Sequence, residues 1–110
     1  MIRLFVLIVA RPGEVKGLVA ALRSIMVQAL GEPGCLECHL TTDLTNPSAL
    51  HYAEHWTSEA QFRQQVSSAR FRRLAWIIEA AAHPPRLEVQ LVSQTRGLDY
   101  VQSALRGEAL

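Results

Sequence analysis

Ile2-Arg3-Leu4-Phe5-Val6-Leu7-Ile8-Val9-Ala10 is an almost unbroken apolar run, closed by Arg11-Pro12-Gly13. Its length and its β-branched residues suit a strand buried on both faces. A bilayer span needs about 20 apolar residues, so the run is too short to cross a membrane. It also lacks the small-residue cleavage pattern of a secretory leader. Parity makes the run decisive. Leu4, Val6 and Ile8 point one way and Phe5, Leu7 and Val9 the other, so both sides of the strand require cover.

Outward from this strand, residues 14–30 carry Val15, Leu18, Val19, Leu22, Ile25, Met26, Ala29 and Leu30 at the spacing of one helical face. Gly31-Glu32-Pro33-Gly34 ends that helix. Residues 35–43 and 49–57 read as two strands. Asp43-Leu44-Thr45-Asn46-Pro47-Ser48 between them is turn chemistry, which predicts an antiparallel hairpin. Alternation in the second strand sets Tyr52, Glu54 and Trp56 against His51, Ala53 and His55. Ser58 and Gln61 form a capping box for a helix reaching Val66, and Ser67-Ser68 interrupts it. A second helical piece carries Phe71, Leu74, Ala75, Ile78 and Ala82 on one stripe until Pro84-Pro85. Residues 86–95 alternate as a fourth strand, and Leu98, Val101 and Leu105 predict a short C-terminal helix. The expected organisation is one domain over residues 1–96 with a helical extension over 97–110.

The order β-α-β-β-α-β predicts an α+β, ferredoxin-like fold, a four-stranded antiparallel sheet with helices on one face. Two helices cover only one side of such a sheet. The other side would expose Phe5, Leu7 and Val9 and invite association. A second copy, sheet against sheet, supplies the cover, so a homodimer through the sheet faces is expected.

With 110 residues there is room for one domain only, and 49% hydrophobic content provides a real core. Eleven basic and ten acidic side chains leave a net charge of +1, which argues against a nucleic-acid partner. Two cysteines, Cys35 and Cys38, are too few and too close for a disulfide-stapled secreted domain. A cytoplasmic protein with no membrane partner is expected.

Three stretches, in order, resemble the antibiotic biosynthesis monooxygenase family. Gly31-Glu32-Pro33-Gly34-Cys35-Leu36-Glu37-Cys38-His39-Leu40 resembles its "PGCLxYxL" at the start of strand 2. Tyr52-Ala53-Glu54-His55-Trp56-Thr57-Ser58-Glu59-Ala60 resembles "ExWxSxEA" at the junction of strand 3 and the next helix. Ser67-Ser68-Ala69-Arg70-Phe71-Arg72-Arg73-Leu74 resembles "SPHFxxL". The resemblance covers roughly residues 2–95 and implies a dimeric α/β barrel. It also implies a small oxygenase that oxidises quinols or polycyclic phenols without metal or flavin. Phenol-oxidising members of the family use an Asn, a Trp, a Tyr and an Arg in the cavity between sheet and helices. Of these only the Trp carries over, at Trp56. Tyr52 stands at the Asn position, Phe62 at the Tyr position and Trp76 at the Arg position, and Arg70 replaces the His of "SPHF". The Asn and His of haem-degrading relatives are missing, which argues against haem degradation.

Trp56, Tyr52 and Glu54 share a strand face. They read either as an aromatic-lined pocket with polar contacts for a substrate hydroxyl, or as core packing plus a buried carboxylate satisfied by backbone or by an arginine. Arg70, Trp76, Phe62 and His55 complete the expected substrate-binding set, with Arg70 as anion partner and Trp76 as a second aromatic wall. One of His39, His51 and His55 on the central hairpin could also serve as base for a phenol proton. His51 and His55 lie about 13 Å apart along the strand and do not share a metal, so no metal site is expected. Cys35 and Cys38 formally match C-x-x-C. At a strand start their side chains should point to opposite faces, which suits buried apolar cysteines better than a redox pair. Arg63, Arg70, Arg72 and Arg73 read as a solvated helix face or as a charged mouth for anionic substrates. The leading expectation is a cofactor-independent monooxygenase acting on a quinol or aromatic phenol. The alternative is a non-catalytic dimeric module binding a hydrophobic small molecule. An isomerase on the same scaffold ranks third, since one fold hosts many chemistries.

Overall fold

The computed structural model describes residues 1–81 and 83–108. Its elements are β1 (Ile2–Val9), α1 (Val15–Leu30), β2 (Cys35–Thr42), β3 (Ala49–Trp56), α2 (Glu59–Val66), α3 (Ala69–Glu79), β4 (Arg86–Leu91) and α4 (Leu98–Leu105). The four strands form one antiparallel sheet in the order β2-β3-β1-β4. This is the expected α+β, ferredoxin-like architecture. Ala82, the last residue of the predicted second helical stripe, lies outside the described residues, as do the final two of the extension.

Parity organises the sheet. Ile2, Leu4, Val6 and Ile8 of β1 are buried against the helices, while Arg3, Phe5, Leu7 and Val9 are half-buried on the opposite face. Register pairs Leu4 with Glu54 and Val6 with Tyr52, so the helix-facing side of β1 continues into Leu50, Tyr52, Glu54 and Trp56 of β3. Leu22, Ile25 and Ala29 of α1 and Leu74 of α3 close the core from above. His39, Thr41, His51, Ala53 and His55 lie on the other, open face of the sheet.

Two expectations are corrected. The fourth strand ends at Leu91 rather than at residue 95, because its partner β1 runs out. Leu91 pairs with Ile2, and two reciprocal bonds finish the ladder: Val92 N–H donates to the Met1 carbonyl at 2.8 Å and the Met1 amino group to the Val92 carbonyl at 3.2 Å. Cys35 and Cys38 do not point to opposite faces. The register between β2 and β3 slips between Cys35 and Glu37, with Cys35 opposite Trp56 and Cys38 opposite Glu54. That bulge accommodates one extra residue, so both cysteines join the helix-facing core and Leu36 is left exposed.

Candidate functional site

Tyr52, Glu54 and Trp56 occupy alternate positions of β3, so strand geometry alone places them side by side under the helices. All three are shut away from solvent. The fourth member comes from α3. Ser68 caps that helix by accepting the Phe71 N–H at 3.2 Å, and this fixes where the helix begins. Arg70, in the first turn, is thereby turned inward over Glu54 and is 5% exposed.

Glu54 is the hub. Arg70 donates from Nη1 to Glu54 Oε2 at 2.6 Å and from Nη2 to Oε1 at 3.4 Å. Trp56 Nε1 donates to Oε1 at 3.0 Å, and the Tyr52 hydroxyl donates to Oε2. The Arg70 guanidinium carbon lies 5.8 Å from the Trp56 ring centroid, within cation–π range. Burying an unpaired charge costs several kcal/mol, on the order of the whole stability of a small domain. Only a bidentate partner and further donors make the arrangement tolerable. Arg70 Nε is buried without a hydrogen bond to the described residues.

The electrostatics follow from this packing. Burial pushes the Tyr52 hydroxyl far above its ordinary range, and the charge of Glu54 pushes it further, so Tyr52 is a neutral donor at every physiological pH. Burial works against the charge of Arg70, but the hydrogen bond and charge of Glu54 outweigh it and raise the guanidinium. Burial raises Cys38 to about 12 and also raises Cys35, with Glu54 adding to both. Both therefore stay thiols at neutral pH, which makes them poor nucleophiles.

The other expected residues are dispersed. Phe62 is half-buried at the edge of the core, edge-on to Phe71 with centroids 6.1 Å apart. Trp76 is 72% exposed. Arg70, Leu74 and Ile77 hold the inward stripe of α3, and Trp76 stands two residues beyond Leu74, roughly 200° round the helix. His55 lies on the open face, on the far side of the sheet from Glu54. Its Nδ1 is 3.1 Å from Glu37 Oε2, which His39 Nε2 also approaches at 3.2 Å. Burial lowers the His55 pKa, and Arg3 adds to the effect. Among the described residues no three of His, Cys, Asp and Glu converge on a metal position. The basic patch is broken up as well: Arg70 turns inward, and Arg63 pairs with Glu59 at 3.0 Å.

One contributor escaped the sequence reading. Gln65, 8% exposed on α2, accepts from Arg70 Nη2 at 3.2 Å and donates to Glu32 Oε2 at 3.3 Å. It stands three residues after Phe62, on the same helical stripe, and that spacing was the available signal. Two pockets flank the network without being lined by Glu54 or Trp56. One, of about 410 Å³, lies where β1 ends between α1 and α3, against Ile8, Leu18 and Ile77. The other, of about 660 Å³, lies on the open face against Arg3, Phe5, His39 and His55.

With this geometry established, the comparisons with known proteins are informative. Residues 1–75 match the family described as antibiotic biosynthesis monooxygenase. The chain belongs to that family. Among solved structures, Rv0793 from Mycobacterium tuberculosis superimposes with a TM-score of 0.76 at 18% identity, covering 87% of this chain and 98% of that one. A conserved protein from Methanosarcina mazei Go1 superimposes with a TM-score of 0.73 at 22% identity, covering 81% and 89%. A structure described as an antibiotic biosynthesis monooxygenase gives 0.73 at 17% identity, covering 86% and 100%. No curated protein matches the sequence. At these identities the neighbours establish the antibiotic biosynthesis monooxygenase fold and leave the chemistry to this chain's own residues. No helix among the described residues is long and apolar enough to cross a membrane.

Proposed function

We propose that this member of the family is a cofactor-independent oxygenase of a quinol or aromatic phenol, acting as a cytoplasmic homodimer joined through the open sheet faces. The observation that carries the reading is the buried Glu54–Arg70 pair with a phenolic hydroxyl, that of Tyr52, already donating to the carboxylate. A substrate phenol entering between α3 and the sheet takes over that donor position. Glu54 accepts its proton and Arg70 holds the resulting phenolate. Exclusion of water keeps the anion electron-rich. The anion passes one electron to O₂, the two radicals combine to form a C–O bond at a ring carbon bearing hydrogen, and Glu54 returns its proton to the peroxide oxygen. Loss of water from the hydroperoxide leaves the quinone, so phenol and O₂ become quinone and water, and the substrate supplies every electron. Trp56 walls the site, and Phe62 borders it.

The second reading is a module that binds a hydrophobic small molecule without turning it over. One observation favours it: Tyr52, Trp56 and Arg70 already saturate Glu54. Oxygen uptake by chelator-treated protein, against a panel of quinols, naphthols and anthrones, separates the two. Uptake above the uncatalysed rate that falls at least 100-fold in Glu54→Gln supports the oxygenase, since a positioned base contributes about 10²–10⁴. Tight binding of a panel member with no uptake supports the binding module instead.

A further inference from the structure

Among the described residues the C-terminal helix packs closely on no other element of its own chain. α4 contains no buried residue and makes no substantial contact with another element. Leu98, Val101 and Leu105 fall on one face of it, 70%, 50% and 82% exposed. A free helix of eight residues is not stable in water, so this one requires a surface to lie on. The whole chain shows the same deficit. It exposes 7286 Å², where a compact monomer of its mass exposes about 6,100 Å². Its radius of gyration is 16.4 Å, where about 13 Å is usual. The surplus, about 1,200 Å², exceeds the ~800 Å² that each partner gives to a stable interface.

A matching surface is uncovered on β4. Leu87, Val89 and Leu91 pair with Val6, Leu4 and Ile2 and therefore belong to the helix-facing side of the sheet. They are nevertheless 49%, 40% and 68% exposed, because the helical layer stops short of this edge strand. The strip from Leu87 to Leu91 is about 13 Å long at ~3.3 Å per residue. The α4 stripe from Leu98 to Leu105 is about 10 Å long at ~1.5 Å per residue.

We propose that α4 of one copy lies on the Leu87-Val89-Leu91 strip of a second copy, reciprocally, so that each chain clasps its partner over the β4 edge. The inference rests on the dimeric reading given above. The occupant is a second copy rather than the same chain because α4 leaves its own strip uncovered, and the surplus surface matches what one partner gives to a stable dimer. Val92 is tied to Met1 at the strand end, and beyond it α4 makes no substantial contact with its own β4. The open face, on the other side of the sheet, also leaves Phe5, Leu7 and Val9 only half-buried and calls for the same second copy.

The test uses two chains in a Cys35→Ser background, one carrying Val89→Cys and the other Val101→Cys, mixed and mildly oxidised. A cross-linked heterodimer in the mixed sample, with each chain alone uncross-linked, is expected. Leu98→Ser/Leu105→Ser should also weaken dimerisation at least tenfold in sedimentation. A disulfide closing within a single chain that carries both cysteines would overturn the inference. Dimers that neither cross-link nor respond to the serine changes would overturn the clasp and leave the dimer standing. A monomer at every concentration would overturn both.

Discussion

Arg70 and Glu54 meet across the gap between α3 and β3, Nη1 2.6 Å from Oε2, with neither side chain open to solvent. Sixteen residues separate them along the chain, so the pair forms only when helix and sheet have docked. It is at once the costliest element of the fold to leave incomplete and the group with the most chemical capability.

Replacing Glu54 by Gln strands the Arg70 charge in the core. We expect a loss of about 3–5 kcal/mol, read as a lower urea midpoint. The double replacement Glu54→Leu/Arg70→Met removes both charges. It should recover most of that stability, because well-packed apolar substitutes for a buried pair are often neutral or better. Oxygen uptake should stay absent in the double variant. Recovered stability together with recovered uptake would remove the pair from the site.

Trp56→Phe keeps a ring in the core and deletes the N–H that reaches Glu54 Oε1. A cost of about 1–3 kcal/mol is expected for the unmet acceptor. Turnover of any accepted phenol should fall as well. Unchanged steady-state kinetics would leave Trp56 with packing alone.

Gly34 has φ +86°, and a Cβ there would collide with the Gln61 carboxamide. Gly34→Ala should therefore cost at least about 1–2 kcal/mol from backbone conformation alone. Thermal melts of Gly34→Ala and Gly31→Ala provide the comparison, since Gly31 has a negative φ. Equal melting temperatures would contradict the strain.

The folded pKa of His55 is held below its ordinary value by burial and by Arg3. The unfolded chain therefore takes up this proton at higher pH than the folded one. Stability is fully present above the unfolded pKa, about 6.5, and is lost as pH falls from there through the folded value. Two neighbours act on the same proton: Glu37 opposes the shift and His39 adds to it. In His55→Asn the melting temperature should vary less between pH 7 and pH 5 than in the parent. A parallel pair of pH curves would exclude His55 as the source.

Much of this arrangement was legible in the residues. Strict alternation along β3 grouped Tyr52, Glu54 and Trp56, and Ser58 does cap α2, while Ser68, legible only as part of a break, caps α3. The same alternation already separated His55 from that trio, so placing both in one site conflicted with strand periodicity. Trp76 faces outward for a related reason: the helical phase set by Leu74 carries it away from the core, and a motif alignment holds no information on that phase. The facing of Cys35 was not legible, because a bulge is a property of two paired strands and only one of them is written at that point of the chain. Gln65 was missed because polar residues on an inward stripe carry no hydrophobic signal.

The break at Ser67 divides what would be one helix into two with separate anchorage. α3 is pinned by Arg70 and Leu74, whereas the only buried residue of α2 is Gln65, held by two polar bonds. The backbone amides of α2 should therefore exchange with deuterium through local opening, well before those of α3, which await a larger rearrangement. Because Gln65 holds Arg70 from that side, each such opening also slackens the grip on the guanidinium. The least protected helix of the core layer is thus the one beside the buried charge pair.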